Sequence, residues 1–130
     1  MKRRPIDENE IARLLEEQFK VRPLESRAYL RLLMGHDMTE HEISLALGIS
    51  LEQVKALMES MTASGLIIRA AGSENRYSPL HPRMTMTNIF KVYEKQIVTA
   101  LREHRATVDR VVNLLTPLYE DRKPGMEKRV

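Results

Sequence analysis

Two capping boxes separated by a single glycine constrain this chain more than any other feature. Thr39 with Glu42, and Ser50 with Gln53, each place a hydroxyl three residues before a carboxyl or amide group. That spacing lets side chain and backbone satisfy each other at a helix N-terminus, so each pair opens a helix. In the first helix, starting at Glu40, Ile43, Ala46 and Leu47 fall on one face. Gly48 then suits a left-handed position just past the helix end, and Ile49 can plug the core inside the turn. After Ser50, Val54, Leu57, Met58 and Met61 recur at helical spacing. Gly65 ends this second helix and Leu66-Ile67-Ile68 begins a strand. Two short helices across a glycine-containing turn form a helix-turn-helix. Its second helix is the one that can enter a DNA major groove.

The residues that follow extend the motif. Leu66 to Arg69 is mostly apolar and β-prone, and Ala70-Ala71-Gly72-Ser73-Glu74-Asn75 is a small polar connector. Arg76-Tyr77-Ser78 can return as a second strand, stopped by Pro79. A hairpin directly after the second helix is a wing. The expected fold is therefore mainly α with a small β-hairpin, a winged helix-turn-helix.

Composition narrows the class. With 130 residues there is room for one small domain and an appendage. The hydrophobic fraction of 42% supplies a core, and 30% charged residues suit a soluble chain. No apolar run approaches the length needed to span a membrane. The start, MKRRPIDENE, lacks the apolar segment of a secretory signal. Cysteine is absent, which excludes disulfides and thiol chemistry and fits a reducing interior. A formal charge of +3 permits an acidic partner without demanding one.

Four segments are expected along the chain: 1–21, a basic arm and helix; 22–82, the winged domain; 83–121, a long helix; and 122–130, a flexible basic tail. Lys2, Arg3 and Arg4 form the arm, read either as a solvated terminus or as a reach toward phosphates. Asp7 and Glu10 resemble a further capping pair ahead of Ile11, Leu14, Leu15 and Phe19. Pro23 suits a first helical turn, followed by Leu24, Ala28, Tyr29, Leu32 and Leu33 up to a stop at Gly35. His36 and His41 are too isolated for a metal site. Leu45 falls off the apolar face of its helix and is either a lone exposed leucine or a partner contact. No phosphate loop, carboxylate pair or nucleophile–base pattern occurs, so neither catalysis nor a cofactor is expected.

Pro82 is placed to start the last helix, and residues 83–116 contain neither Gly nor Pro. That length corresponds to roughly 50 Å of helix. Ile97, Leu101, His104, Val108, Val111, Leu115 and Leu118 follow the four-three step of a heptad seam, broadened by Val112 and Leu114. Such a seam needs another helix, most simply its twin in a homodimer, parallel or antiparallel; folding back on its own domain is the other possibility. Pro117 is expected to kink or end the helix.

Taken together, Ser26-Arg27-Ala28-Tyr29-Leu30, Glu42-Ile43, Leu47-Gly48-Ile49-Ser50, Val54, Met61, Ser64-Gly65-Leu66-Ile67, and Arg76-Tyr77 with Pro79 and Pro82 resemble one known pattern. It is the winged helix-turn-helix domain of the TrmB-type transcriptional regulators, common in archaea. MarR-like and ArsR-like families share parts of it. The resemblance covers residues 19–84, and the long helix that follows is similar to that family's dimerising helix. It implies a dimeric, DNA-binding transcription regulator, cytoplasmic and nucleoid-associated. Sugar-sensing members carry a large C-terminal effector domain that this chain is too short to hold, so sugar binding is not carried over. A stand-alone regulator, a chromatin-like binder, or a piece of something longer remain the options.

One departure stands out. Positions that are often basic or aromatic in the family are here Leu51, Glu52, Gln53, Lys55 and Ala56, with Glu59 a turn later. Gln53 and Lys55 are the expected base contacts, and the cap residue Ser50 is expected to reach a phosphate. Arg69, Asn75 and Arg76 on the wing are expected at the backbone or minor groove, with Arg27 and Arg31 as further phosphate contacts. The rival expectation, favoured by the acidic helix and by Leu45, is a docking module for a protein of the transcription machinery or of chromatin.

Overall fold

The computed structural model describes residues 5–72 and 75–122. The basic arm at Lys2, Arg3 and Arg4, the connector residues Ser73 and Glu74, and the expected tail beyond Arg122 lie outside the described residues. The elements in chain order are α1 (Glu8–Phe19), α2 (Pro23–Met34), β1 (Met38–Thr39), α3 (Glu40–Leu47), α4 (Leu51–Ala63), β2 (Ile67–Arg69), β3 (Arg76–Pro79) and α5 (Pro82–Glu120).

Local chemistry sets these boundaries. The Asp7 carboxylate accepts from the Asn9 and Glu10 amides at 3.0 and 3.2 Å and caps α1. Pro23 opens α2. At α3 the Glu42 amide donates to Thr39 Oγ1 at 3.2 Å, while the Thr39 amide donates to Glu42 Oε1 at 2.9 Å. The same reciprocal pair joins Ser50 and Gln53 at 3.0 and 3.1 Å at the start of α4. Gly48 takes the left-handed conformation, φ 68°, and turns the chain between them. Gly65 also has a positive φ, 79°, and a Cβ there would lie 2.8 Å from Asn88 Cγ. That close approach lets Asn88 Nδ2 donate to the Gly65 carbonyl at 2.8 Å, tying α4's exit to α5.

By internal packing the chain divides into two compact units, residues 1–93 and 94–130. In the first, α2, α3, α4 and the sheet enclose the core. Val54, Met58 and Met61 are 0% exposed. Each such burial stabilises by roughly 1.5–3 kcal/mol relative to exposure. Leu15 and Phe19 of α1 pack against this core, and Ile49 plugs the turn as expected. The first turns of α5 also belong to it: Thr85 and Ile89 are buried, and Tyr93 meets Phe19 edge-on at 5.7 Å. In the second unit the large apolar residues of α5, from Ile97 to Leu118, are exposed in the single chain.

The sheet is larger than a hairpin. Its three strands run in the order β1-β3-β2, all antiparallel. Met38 lies opposite Tyr77 and Thr39 opposite Arg76, so the chain just before α3 becomes a third strand. Pro79 sits inside β3, opposite Ile67, rather than ending the strand before it. Leu14, Leu33 and Ala46, each read as core-facing, are exposed. For Ala46 the reason is angular. The buried stripe of this short helix is centred between Ile43 and Leu47, at 100° per residue, and Ala46 falls on its solvent edge. Pro117 does not end α5, which continues to Glu120. A proline this close to the C-terminus disturbs only the last turns.

Candidate nucleic-acid interface

The two faces of α4 have opposite fates. Val54, Leu57, Met58 and Met61 anchor it in the core, while Ser50, Leu51, Glu52, Gln53, Lys55 and Ala56 are all exposed around its N-terminal turns. The turn that presents them is locked from inside: Ser44 Oγ donates to the Ile49 carbonyl at 2.6 Å. From the other side, Ser60 Oγ accepts from Arg22 and donates to Glu25, both at 3.2 Å, fixing α4 to the start of α2.

Two features limit what this surface can read. The charged residues of α4 are Glu52, Lys55 and Glu59, a net charge of one minus, and it has no arginine. The amide oxygen of Gln53 is already engaged by the Ser50 amide. A bidentate contact to adenine needs both the oxygen and the nitrogen of that amide, so such a contact competes with the helix cap.

The wing separates its cations onto opposite faces, because Arg69 is paired across the strands with Tyr77, and Tyr77 and Arg76, neighbours along β3, point to opposite sides. Arg69 donates to Asn75 Oδ1 at 3.3 Å and to the Tyr77 hydroxyl at 3.0 Å, with its guanidinium 5.4 Å from the Tyr77 ring centre. Tyr77 is buried and donates in turn to Glu40 Oε2 at 3.1 Å. Burial, then Glu40, raises the Tyr77 hydroxyl above its ordinary range and keeps it a neutral donor. Arg76 turns the other way. It donates to the Asp37 carbonyl at 2.9 Å and to Glu42 Oε1 at 3.0 Å. The Thr39 amide, and after it the Arg76 charge, hold the Glu42 carboxyl below the usual carboxylate range. Arg76 thus braces β3 to the first turn of α3 and does not lie beside Arg69.

On α2, Arg27 is exposed and Arg31 lies 3.8 Å from Glu8. Along α5, Ile97, Leu101, His104, Val108, Val111, Leu115 and Leu118 are all exposed, from 38% at Ile97 to 67% at Leu118. Leu45 on α3 is 74% exposed. Sequence reasoning missed Asp37, Glu40 and Tyr77 as the residues that hold the wing cations. Their roles depend on β1, whose two residues carry no periodic signal. Among the described residues no cluster of His, Cys, Asp or Glu could hold a metal ion, and no helix is long and apolar enough to cross a membrane.

Known proteins share this arrangement. The family model described as "Sugar-specific transcriptional regulator TrmB" matches residues 15–83. The chain is 24% identical over 117 residues to the "DNA-binding HTH-type transcriptional repressor TrmBL2" of Thermococcus kodakarensis, covering 88% of this chain and 44% of that protein. It therefore spans less than half the length of that relative. A solved structure of TrmBL2, described as an archaeal chromatin protein, superimposes with a TM-score of 0.68 at 21% identity, covering 91% of this chain and 45% of that one. A MarR family protein from Bacillus stearothermophilus shares the fold at a TM-score of 0.52 and 17% identity, covering 88% and 86% of the two chains.

Proposed function

The chain belongs to the TrmB family, one of transcriptional regulators and not of enzymes, and on that premise we propose that it binds double-stranded DNA as a homodimer with little sequence preference. In this reading α4 lies in the major groove and the wing meets the backbone or minor groove. The carrying observation is the exposed N-terminal surface of α4, which is rigidly anchored yet has no arginine and a Gln53 committed to its own cap. Arginine gives the commonest specific base contact. Without it, Lys55, a partly released Gln53, and Leu51 or Ala56 against a thymine methyl are the available readers. Glu52 and Glu59 oppose the phosphates. Affinity then comes mainly from phosphate contacts by Arg69, Asn75, Arg27 and Arg31 and from the cap hydroxyl of Ser50. The names of the relatives, a DNA-binding repressor and a chromatin protein, support this reading and, with it, a nucleoid location. The exposed seam of α5 supports the homodimer.

Fluorescence anisotropy with unrelated labelled duplexes tests it. Similar affinities for all of them, falling linearly as log affinity against log salt, are expected. Leu45 and the acidic character of α4 favour a second reading, a docking module for another protein. A chain that retains no duplex even at low salt belongs to that reading.

A further inference from the structure

Arg69 is exposed, yet its guanidinium is held in place before any ligand arrives. Nη1 donates to Asn75 Oδ1 at 3.3 Å, Nη2 donates to the Tyr77 hydroxyl at 3.0 Å, and Cζ lies 5.4 Å from the centre of the Tyr77 ring. Tyr77 stands opposite Arg69 in the register of β2 and β3, so the arginine folds across the neighbouring strand. The hydroxyl that receives it is itself fixed. Tyr77 is buried, and its single hydroxyl proton goes to Glu40 Oε2 at 3.1 Å, which turns a lone pair toward Arg69. Glu40 thus orients the clamp from one hydroxyl away. Among the described residues no carboxylate forms an ion pair with Arg69 itself. A guanidinium has five N–H donors in a rigid fork. The clamp uses two of them, so three remain on an exposed side chain.

We propose that Arg69 is a pre-set phosphate contact and not a minor-groove reader, with Tyr77 and Asn75 as the residues that position it. This rests on the reading of the chain as a DNA binder, and it chooses between the two places where the wing can touch a duplex. The base acceptors of the minor groove lie on the floor of a cleft about 7.5 Å deep. An arginine reaches them extended. Arg69 can extend only by leaving the Tyr77 ring and both hydrogen bonds. A phosphate oxygen on the outside of the duplex accepts from the remaining donors with the clamp intact. Ordering a long side chain on binding costs affinity, and here the fold has ordered it beforehand. Every base pair carries the same phosphates, so the contact adds affinity without sequence preference.

Anisotropy of the 130-residue chain with A·T-rich and G·C-rich duplexes tests the ligand. Arg69→Ala is expected to lose affinity by the same factor on both. Netropsin, which fills the minor groove of A·T tracts, is expected to leave that factor unchanged. A loss confined to the A·T-rich duplex and abolished by netropsin would overturn the phosphate assignment. Tyr77→Phe keeps the buried ring and removes only the hydroxyl. It is expected to weaken binding about two- to tenfold, the cost of immobilising one long side chain, and to have no further effect once Arg69 is alanine. An equal loss in both backgrounds would leave Tyr77 a merely structural residue and overturn its positioning role. Nitrogen-15 relaxation of the arginine Nε–H groups tests the clamp without DNA. Arg69 is expected to be ordered in the wild type and loosened by Tyr77→Phe. A wild-type Arg69 as mobile as the exposed Arg27 would overturn the clamp whatever the chain binds. An ordered Arg69 in a chain that retains no duplex would instead overturn the DNA-binding reading, and the phosphate contact with it.

Discussion

Helices α4 and α5 carry nearly the same apolar rhythm and treat it in opposite ways. Val54, Leu57, Met58 and Met61 on α4 are at most 3% exposed, whereas Ile97, Leu101, Val108 and Leu115 on α5 are at least 38% exposed. The first stripe is buried by the chain's own α2, α3 and sheet. The second has no such cover among the described residues of the unit that holds it. Periodicity therefore reports that a helix face seeks apolar company, not whose company it finds. For α4 that company is intramolecular, and stability should not depend on protein concentration. For α5 we assign it to a second copy, and stability should.

The largest expected effect breaks this contrast at α5. Leu101→Asp with Val108→Asp puts two carboxylates into the seam, where unpaired burial is prohibitive. Sedimentation equilibrium should show the wild type as a dimer at tens of micromolar. The double variant should dissociate at least about a thousandfold more readily, roughly 4 kcal/mol. The circular dichroism of the first unit should persist. A wild type that sediments as a monomer would remove the second copy from the account.

Next in size is the core. Met61→Ala should lower the unfolding free energy by about 2–5 kcal/mol, from lost transfer energy and the remaining cavity. Urea titrations at two protein concentrations should give the same loss. Leu115→Ala, by contrast, should cost stability only through the dimer, so its midpoint should fall further on dilution.

These contrasts also mark what sequence alone could tell. The caps at Thr39 and Ser50, the turn at Gly48 and the stripe of α4 were legible because each is written within a few residues. The strand β1 was not, since Met38-Thr39 is too short to show alternation and exists only through its pairing with Tyr77 and Arg76. With β1 went the position of Arg76. Read from sequence it is a wing cation beside Arg69; in the fold it is tied to Asp37 and Glu42. The exposed surface of α4 was legible residue by residue, because its buried partners were. The engagement of Gln53 was implicit in its own capping box, and its consequence for adenine readout emerges only when the donor at Ser50 is identified.

The wing offers a smaller test of an exposed arginine with neutral partners against one paired with a carboxylate. Arg69→Ala should weaken binding to all duplexes about equally and reduce the slope of log affinity against log salt by about one. Arg76→Ala should leave that slope nearly unchanged and instead lower the thermal midpoint, because β3 loses its brace to α3. The reverse assignment in anisotropy and melting data would exchange the two roles.

Smallest is the pH response of the same brace. The Glu42 carboxyl is held below its ordinary range by the Thr39 amide and then by Arg76. Its contribution is therefore present above the unfolded value, near pH 4, and is lost as pH falls through the lower folded value. The difference in denaturation midpoint between wild type and Glu42→Gln should shrink as pH drops below about 4. A difference that is constant across that window would mean that the charge on Glu42 is not what matters.

The central claim is that a firmly anchored but arginine-free α4 delivers broad duplex binding with weak readout. Its most direct test is a binding selection from random duplexes at near-physiological salt. The account predicts retention of most sequences, with mild enrichment of A·T pairs that Gln53→Ala relaxes at little cost in total affinity. A sharp, information-rich palindrome, or no retention of duplex at all, would contradict it.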